Sequence, residues 1–430
     1  MFSGTKLPRI GTYNVNVVLS SIQVSEGTSR VEIAQRTGLT AQTVSVIVRR
    51  LIGSGIVQES GSVPSAGGKP RRTLRINPTA AYVVGIHFDP TEVSIVVVDM
   101  TGQALARSHH ELSPGLKPEA LIDQAAQVAR KLLANLGVLD ERVLGVGAAC
   151  PGPIDQSQGL VVSPPRRDRW TEVPIKRLLK HYIGFEVIID NDANAAAIGE
   201  RWAGHGRSAS DFAFLYLGTG IGGAMFLSNN IYRGASLNAG EFGHIVVEPN
   251  GTPCYCGNCG CLEAMCSSAA ITRNVHAELD MGRESLLAPV YQKDPGLVDH
   301  AAICLAAVQR DDVARRVIDK AAEYIAECAV TIANALDVEL LVLGGKGVTH
   351  VADIYKDKVT EFLRSRPLAR KTHTVRVATS EMGGDGAALG AAALVLHANY
   401  APNTAQLVNV QAGRWRCVIL VLGAHRAAAT

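Results

Sequence analysis

Aromatic side chains are scarce in this 430-residue chain, at 5%, and charged ones are modest, at 19%. No apolar run reaches the ~20 residues that a transmembrane helix needs; the longest, Ala387–Leu396 and Cys417–Ala424, stop well short. No basic stretch followed by an apolar one opens the chain, so no secretory signal and no membrane partner are read, and the cytoplasm is the expected location. The 47% hydrophobic content excludes a disordered, collagen-like or disulfide-stapled protein. At ~150 residues per domain the length accommodates two or three domains.

Charge is nearly balanced, at +3, but unevenly placed. Residues 1–78 hold ten Lys/Arg against three Asp/Glu, a net +7, which leaves −4 for residues 79–430. A basic head on a mildly acidic body implies that one end meets a polyanion. Five of the nine cysteines crowd between Cys254 and Cys266. In a chain without a secretory signal, such crowding points to a metal site rather than to disulfides.

In the head, Val15, Val18, Leu19 and Ile22 recur at helical spacing. Ser29-Arg30-Val31-Glu32 has the form of a capping box that opens a short helix through Arg36. A turn at Thr37–Thr40 follows, with Gly38 where a left-handed residue is needed. Thr40 then caps a third helix whose Val44, Ile47, Val48 and Leu51 form one apolar stripe. Helix, glycine turn and helix make a helix-turn-helix. The stripe leaves Gln42, Thr43, Ser45 and Arg49 facing outward near the start of the third helix, where bases and phosphates are met. Two short strands, Ile56–Glu59 and Thr73–Ile76, flank the basic loop Gly67-Gly68-Lys69-Pro70-Arg71-Arg72, which reads as a wing. The DNA-contacting candidates are Ser29, Arg30, Gln42, Thr43, Ser45, Arg49, Lys69, Arg71 and Arg72, and the expected partner is double-stranded operator DNA.

From Tyr82 onward, strands and helices alternate. Strands are expected at Tyr82–Phe88, Val93–Asp99, Ala104–Glu111, Val143–Ala149, Phe185–Asp190, Phe212–Leu217, Ala224–Ser228 and Glu339–Leu343. Helices are expected at Pro118–Leu136 and Val313–Leu336. This order implies an α/β body in two lobes with a cleft, its Gly-rich turns following strands where α/β folds bind ligands.

A His244 ten residues before the C-x-C-x4-C run Cys254, Cys256, Cys261 supplies four N/S donors, the number that a closed tetrahedral zinc site needs. By spacing alone, Cys259 competes with Cys256 or Cys261 for a place. The pair Cys256/Cys259 also has the form of a redox motif, without the surrounding thioredoxin-like pattern.

Five segments together resemble the ROK family, which joins sugar-responsive repressors and sugar kinases on an actin-like fold. They are Ala149–Asp155 (ACPGPID), Asn191–Ala195 (NDANA), Leu217–Gly223 (LGTGIGG), Gly240–His244 (GEFGH) and Cys254–Glu263 (CYCGNCGCLE). The resemblance spans about residues 12–397 and extends to the winged helix that the family's repressors carry and its kinases lack; the branch resembled is that of the N-acetylglucosamine- and glucose-type repressors. It implies an actin-like (ribonuclease H-like) two-lobed sugar-kinase fold preceded by a winged helix-turn-helix, with domains at 1–78 and 79–397 and a tail of unassigned role at 398–430. It selects His244, Cys254, Cys256 and Cys261 as ligands of a structural zinc ion. It also implies a sugar effector held by Gly152, Asn191, Asp192, Glu241, His244 and Glu263, in a homodimer or homotetramer.

Asp192 matches the base that takes the proton of the sugar hydroxyl in the family's kinases. Those kinases carry an Asp-x-Gly-x-Thr turn for the phosphates of ATP, whereas the matching segment here is His87-Phe88-Asp89-Pro90-Thr91. A carboxylate where the γ-phosphate belongs opposes binding. The expectation is therefore a regulator, most simply a repressor of sugar genes, and not an enzyme. The alternatives are an ATP-dependent sugar kinase with an accessory head, and a repressor that answers to a protein partner.

Overall fold

The computed structural model describes residues 7–25, 27–63, 71–112, 115–162, 164 and 170–402. The head packs three helices, α1 (Leu7–Gln23), α2 (Arg30–Thr37) and α3 (Ala41–Gly53), beside an antiparallel hairpin of β1 (Val57–Val63) and β2 (Arg71–Ile76). The expected capping box is present: Ser29 accepts from the Glu32 N–H and the Glu32 carboxylate from the Ser29 N–H. Gly38 ends α2 at φ 69°. Val18, Leu19, Ile22, Val44, Val48 and Leu51 are buried together, so the two predicted stripes face one core.

The chain crosses into the body at Pro78. The first lobe holds β3 (Tyr82–Phe88), β4 (Glu92–Asp99), β5 (Ala104–Glu111), α4 (Pro118–Asn135), β6 (Val143–Cys150), the small hairpin β7 (Ile154–Asp155) and β8 (Leu160–Val161), α5 (Ile175–Ile183) and β9 (Val187–Asn191). α6 (Asp192–Ala203) leads to the second lobe: β10 (Phe212–Leu217), β11 (Ile221–Leu227), β12 (Asn230–Ile231), α7 (Leu262–Cys266), α8 (Ser268–Asp280), α9 (Ala288–Lys293), α10 (His300–Val308), α11 (Asp312–Leu336), β13 (Leu340–Gly344), α12 (Ala352–Ser365) and β14 (Arg376–Thr379). α13 (Gly386–Tyr400) returns to the first sheet and passes the expected limit at residue 397.

The sheets run β5-β4-β3-β6-β9 and β12-β11-β10-β13-β14. In each, a three-stranded antiparallel meander is extended by two parallel strands, so the same five-strand order occurs twice. This duplicated order is the expected actin-like architecture. Central strands such as β4 are buried on nearly every residue, which explains their unbroken β-branched runs. Among the described residues no helix is long and apolar enough to cross a membrane.

Between the sheets lie α6 and α13. A Cβ on Gly390 would sit 2.1 Å from the Ala195 carbonyl oxygen, and one on Gly147 of β6 would sit 1.7 Å from that of Ala391. Backbone therefore meets backbone at these points, and no Cβ fits at Gly390 or Gly147. Gly147→Ala is expected to destabilise the fold by about 2–3 kcal/mol, the usual cost of overpacking, read as a lower urea midpoint at unchanged slope.

Candidate functional site

The repeated sheet order makes the β3–β4 and β10–β11 hairpins equivalent, and their tips face each other. The Thr219 hydroxyl donates across the gap to Asp89, 3.1 and 3.0 Å from its two carboxylate oxygens. Beside this contact opens a cleft of ≈ 390 Å³, within the range of small-ligand sites. Gly152, Asn191, Asp192, Glu241, His244 and Glu263 all line it, so residues scattered over 112 positions of sequence share one wall.

Each of these groups is held by its own element. Asn191 ends β9 and caps α6, its side-chain oxygen accepting from the Ala193 N–H at 2.9 Å. Asp192 accepts from the same N–H at 2.8 Å, so the cleft ends on a helix N-terminus. Glu263 follows the candidate ligand Cys261 into α7 and accepts from the Ile221 N–H at 2.8 Å. A Cβ on Gly220 would lie 2.6 Å from that carboxylate, which is why the turn must be bare there. Glu241 stands at the mouth; crowding strips water from its carboxyl and raises its pKa, against the lowering effect of His244.

Behind this wall, the buried Asp190 is the anchor. One carboxylate oxygen accepts from Gln156 at 2.7 Å, Asn194 at 3.0 Å and the Asn191 N–H at 2.9 Å. The other accepts from Arg233 at 3.1 and 2.6 Å. Arg233 comes from the second lobe, so this pair ties that lobe to the strand end carrying Asn191 and Asp192. Asp190 stands next to the recognised segment and was within reach of sequence reasoning. Arg233 carried no local signal.

The metal candidates converge. The donor atoms of His244, Cys254, Cys256 and Cys261 all lie within 4.8 Å of one another. Cys254 Sγ is 3.6 Å from His244 Nδ1, and Cys256 Sγ is 3.6 Å from Cys261 Sγ. Tetrahedral Zn–S and Zn–N bonds of ~2.3 and ~2.0 Å require donors about 3.5–3.8 Å apart, so the donor set fits a metal ion. Cys259 is exposed and is not among the four clustered donors. The remaining ring nitrogen of His244, Nε2, faces the cleft 3.2 Å from the Tyr255 hydroxyl.

At the phosphate end, burial works against the charge of Asp89. His87, the N–H and hydroxyl of Thr91, and Lys346 outweigh it and hold the carboxyl below its usual value. Lys346, just after β13 of the second lobe, also pairs with Glu92 at the start of β4, a second link between the lobes. His87 is fully buried and, among the described residues, neither of its ring nitrogens has a hydrogen-bond partner; Nε2 is 3.9 Å from Asp192 Oδ2. This region closes on its own side chains.

On the head, α3 presents Gln42 and Arg49 to solvent, with Thr43 and Ser45 half-buried. Ser29 needs correcting as a contact residue: it is buried and its hydroxyl is committed to the α2 cap. Arg30 and Arg72 both pair with Glu59, whereas Arg71 is exposed. Lys69 lies outside the described residues. Two further residues join the α3 face: Arg50 is exposed, and Val46 is 58% exposed in mid-helix, a position suited to a thymine methyl.

From residue 83 to 398 the chain matches the ROK family, and from 17 to 58 a winged helix-turn-helix DNA-binding family. The chain belongs to the ROK family. A xylose repressor of Caldicellulosiruptor bescii is 27% identical over 383 residues, 89% of this chain and 95% of the relative. A glucokinase of Halalkalibacterium halodurans is 34% identical over 315 residues, 73% and 94% of the two chains. In fold, the chain is similar to a crystal structure of a ROK family transcriptional regulator homologous to the E. coli MLC protein. The TM-score is 0.74 at 22% identity, covering 91% of this chain and 97% of that one. The likeness to the regulators thus includes the head, while the glucokinase matches a shorter share of the chain.

For this ROK protein, purified chain is expected to hold one metal ion. Cys259→Ser should retain it, and Cys256→Ser should bind it at least about tenfold more weakly, as measured by competition with a chromogenic chelator.

Proposed function

We propose that this ROK protein is a cytoplasmic DNA-binding transcriptional regulator, a repressor of sugar genes whose DNA affinity is set by a sugar in the cleft. The observation that carries this reading is the presence, in one chain, of an exposed basic α3 face and a polar cleft whose phosphate end is closed by the Asp89–Thr219 contact. Asp192 keeps the position of the kinase base, but a carboxylate at the hairpin tip repels the phosphates that ATP would bring there.

Zinc is the metal that the His/Cys3 donors suit, in a closed structural site. Bound zinc supplies no step here; it fixes the loop that carries Glu263 and Tyr255. With Nδ1 turned to the metal, His244 keeps its proton on Nε2 and offers a donor to a sugar hydroxyl. Asn191 offers its amide N–H groups, and Asp192, Glu241 and Glu263 accept.

The cleft carries Asp89, Asp192, Glu241 and Glu263 and, among its described lining residues, neither lysine nor arginine. That balance supports an uncharged sugar over its phosphate ester. On DNA, two heads of a homodimer, or pairs within a tetramer, would read half-sites about 34 Å apart along a pseudo-palindrome.

Binding to duplex DNA from upstream of the protein's own coding sequence, with xylose, glucose, N-acetylglucosamine and their phosphates added in turn, tests the reading. A free sugar is expected to shift DNA affinity, and the matching phosphate to act at least about tenfold more weakly; turnover of ATP with any of these sugars would overturn it. Arg49→Ala should weaken DNA binding by about 1–3 kcal/mol and leave sugar affinity unchanged. Glu263→Ala should remove sugar binding and spare DNA binding; if it alters DNA binding alone, the assigned cleft is wrong.

A further inference from the structure

The head and the cleft are joined by a continuous piece of structure. α6 begins at Asn191 and Asp192 in the cleft and ends 12 residues later, about 18 Å away at helical rise, beneath α1 of the head. The last four carbonyls of a helix have no partner within it. One of them, that of Trp202, accepts from the Gln23 side-chain amide at 2.9 Å. The Gln23 carbonyl, itself at the end of α1, accepts in turn from Arg207. Arg207 sits on the turn after α6, which Arg201 braces by donating to the carbonyls of Gly206, Arg207 and Ala209.

α13 ends in the same way. Asn16, buried in α1, donates to the carbonyl of Ala401 at 3.0 Å. Asn16 and Gln23 are seven residues apart, two turns on one face of α1. That single face therefore clasps the C-terminal ends of both inter-sheet helices. The apolar contacts follow the same line: Val18, Leu19 and Ile22 of α1 belong to one core with Ala195, Ile198 and Trp202 of α6 and Leu396 of α13.

We propose that α6 and α13 form a strut that carries displacement of Asn191 and Asp192 to the DNA-binding head, with Gln23 and Arg207 as the positioning residues that fasten its far end. The proposal rests on the sugar-responsive reading given above. At Ala195–Gly390 and Gly199–Gly390 the two helices meet with no side chain longer than Ala between them, so a shift of α6 is passed to α13 there by direct backbone contact rather than taken up by a rotamer change. Coupling needs such a contiguous element whose position both sites bias, and it acts reciprocally on the two affinities.

The test is the ratio of the DNA dissociation constants with and without saturating sugar, measured by fluorescence anisotropy on full-length protein. The probes are xylose, glucose and N-acetylglucosamine, each with the upstream duplex. Wild-type protein is expected to show a ratio at least about fivefold from unity, at the lower end of allosteric couplings. In Gln23→Ala and Arg207→Ala the ratio should fall to within about twofold of unity, while DNA affinity without sugar and sugar affinity without DNA stay near wild type. Arg207→Lys, which keeps a donor, should recover part of the ratio, as a merely structural role would not require. If one variant fails to fold, the other decides, because each removes a different hydrogen bond of the same clasp. A wild-type ratio that survives in the variants overturns the strut alone. A wild-type ratio of unity with all three sugars overturns the functional reading and the strut together.

Discussion

The contact of α6 with α13, backbone against backbone at Ala195 and Gly390, is the constraint on which the rest of the molecule depends. It lets two five-stranded sheets share a thin inner layer, and it fixes where that layer ends. At one end the N-terminus of α6 opens into the cleft; at the other the two helix ends present carbonyls that Gln23 and Asn16 of the head satisfy. A larger side chain at Gly390 or Gly199 would part the helices and change the separation of both sites. The alanine-rich segment after Asn191 is thus as much a part of the cleft as the polar residues that line it.

Charge divides the cleft. Asp190 is deeply buried yet fully engaged, its five hydrogen bonds including both from Arg233, so it holds the wall in place without facing the ligand. The carboxylates that do face the cleft are pinned by backbone N–H groups, as Glu263 is by Ile221, or raised in pKa by crowding, as Glu241 is. A sugar, rich in hydroxyls and without charge, suits such a surface. The same surface is hostile to a polyphosphate, and Asp89 adds one more negative charge at the point where a kinase needs none.

Much of this was legible in the chain. The β-branched runs of β3 and β4, the helical stripes of α1 and α3 and the capping box at Ser29 follow from local periodicity, and the structure reproduces them. The candidate metal ligands were legible as residue types, but it took geometry to show that Cys259 lies outside their cluster. α6 and α13 gave no amphipathic pattern because they are buried on almost every side, so period-based reading passed over them. The Asp190–Arg233 and Asp89–Thr219 contacts join positions 43 and 130 residues apart, and nothing local in the chain pairs them. Ser29 shows the opposite failure: a polar residue in a basic head looked available, yet the helix end had already claimed it.

The position of α1 has a consequence for modularity. By connectivity, the head ends where the chain passes Pro78, and a winged helix is commonly pictured as a cassette that recombination can exchange. Here one face of its first helix is cut to fit the ends of two helices of another domain. A head transplanted from a distant relative would bring its own residues to positions 16 and 23 and, without amide donors there, would leave the carbonyls of Trp202 and Ala401 unmatched. Exchange of DNA specificity among such proteins should therefore proceed through the exposed face of α3, leaving α1 to co-evolve with the body it grips.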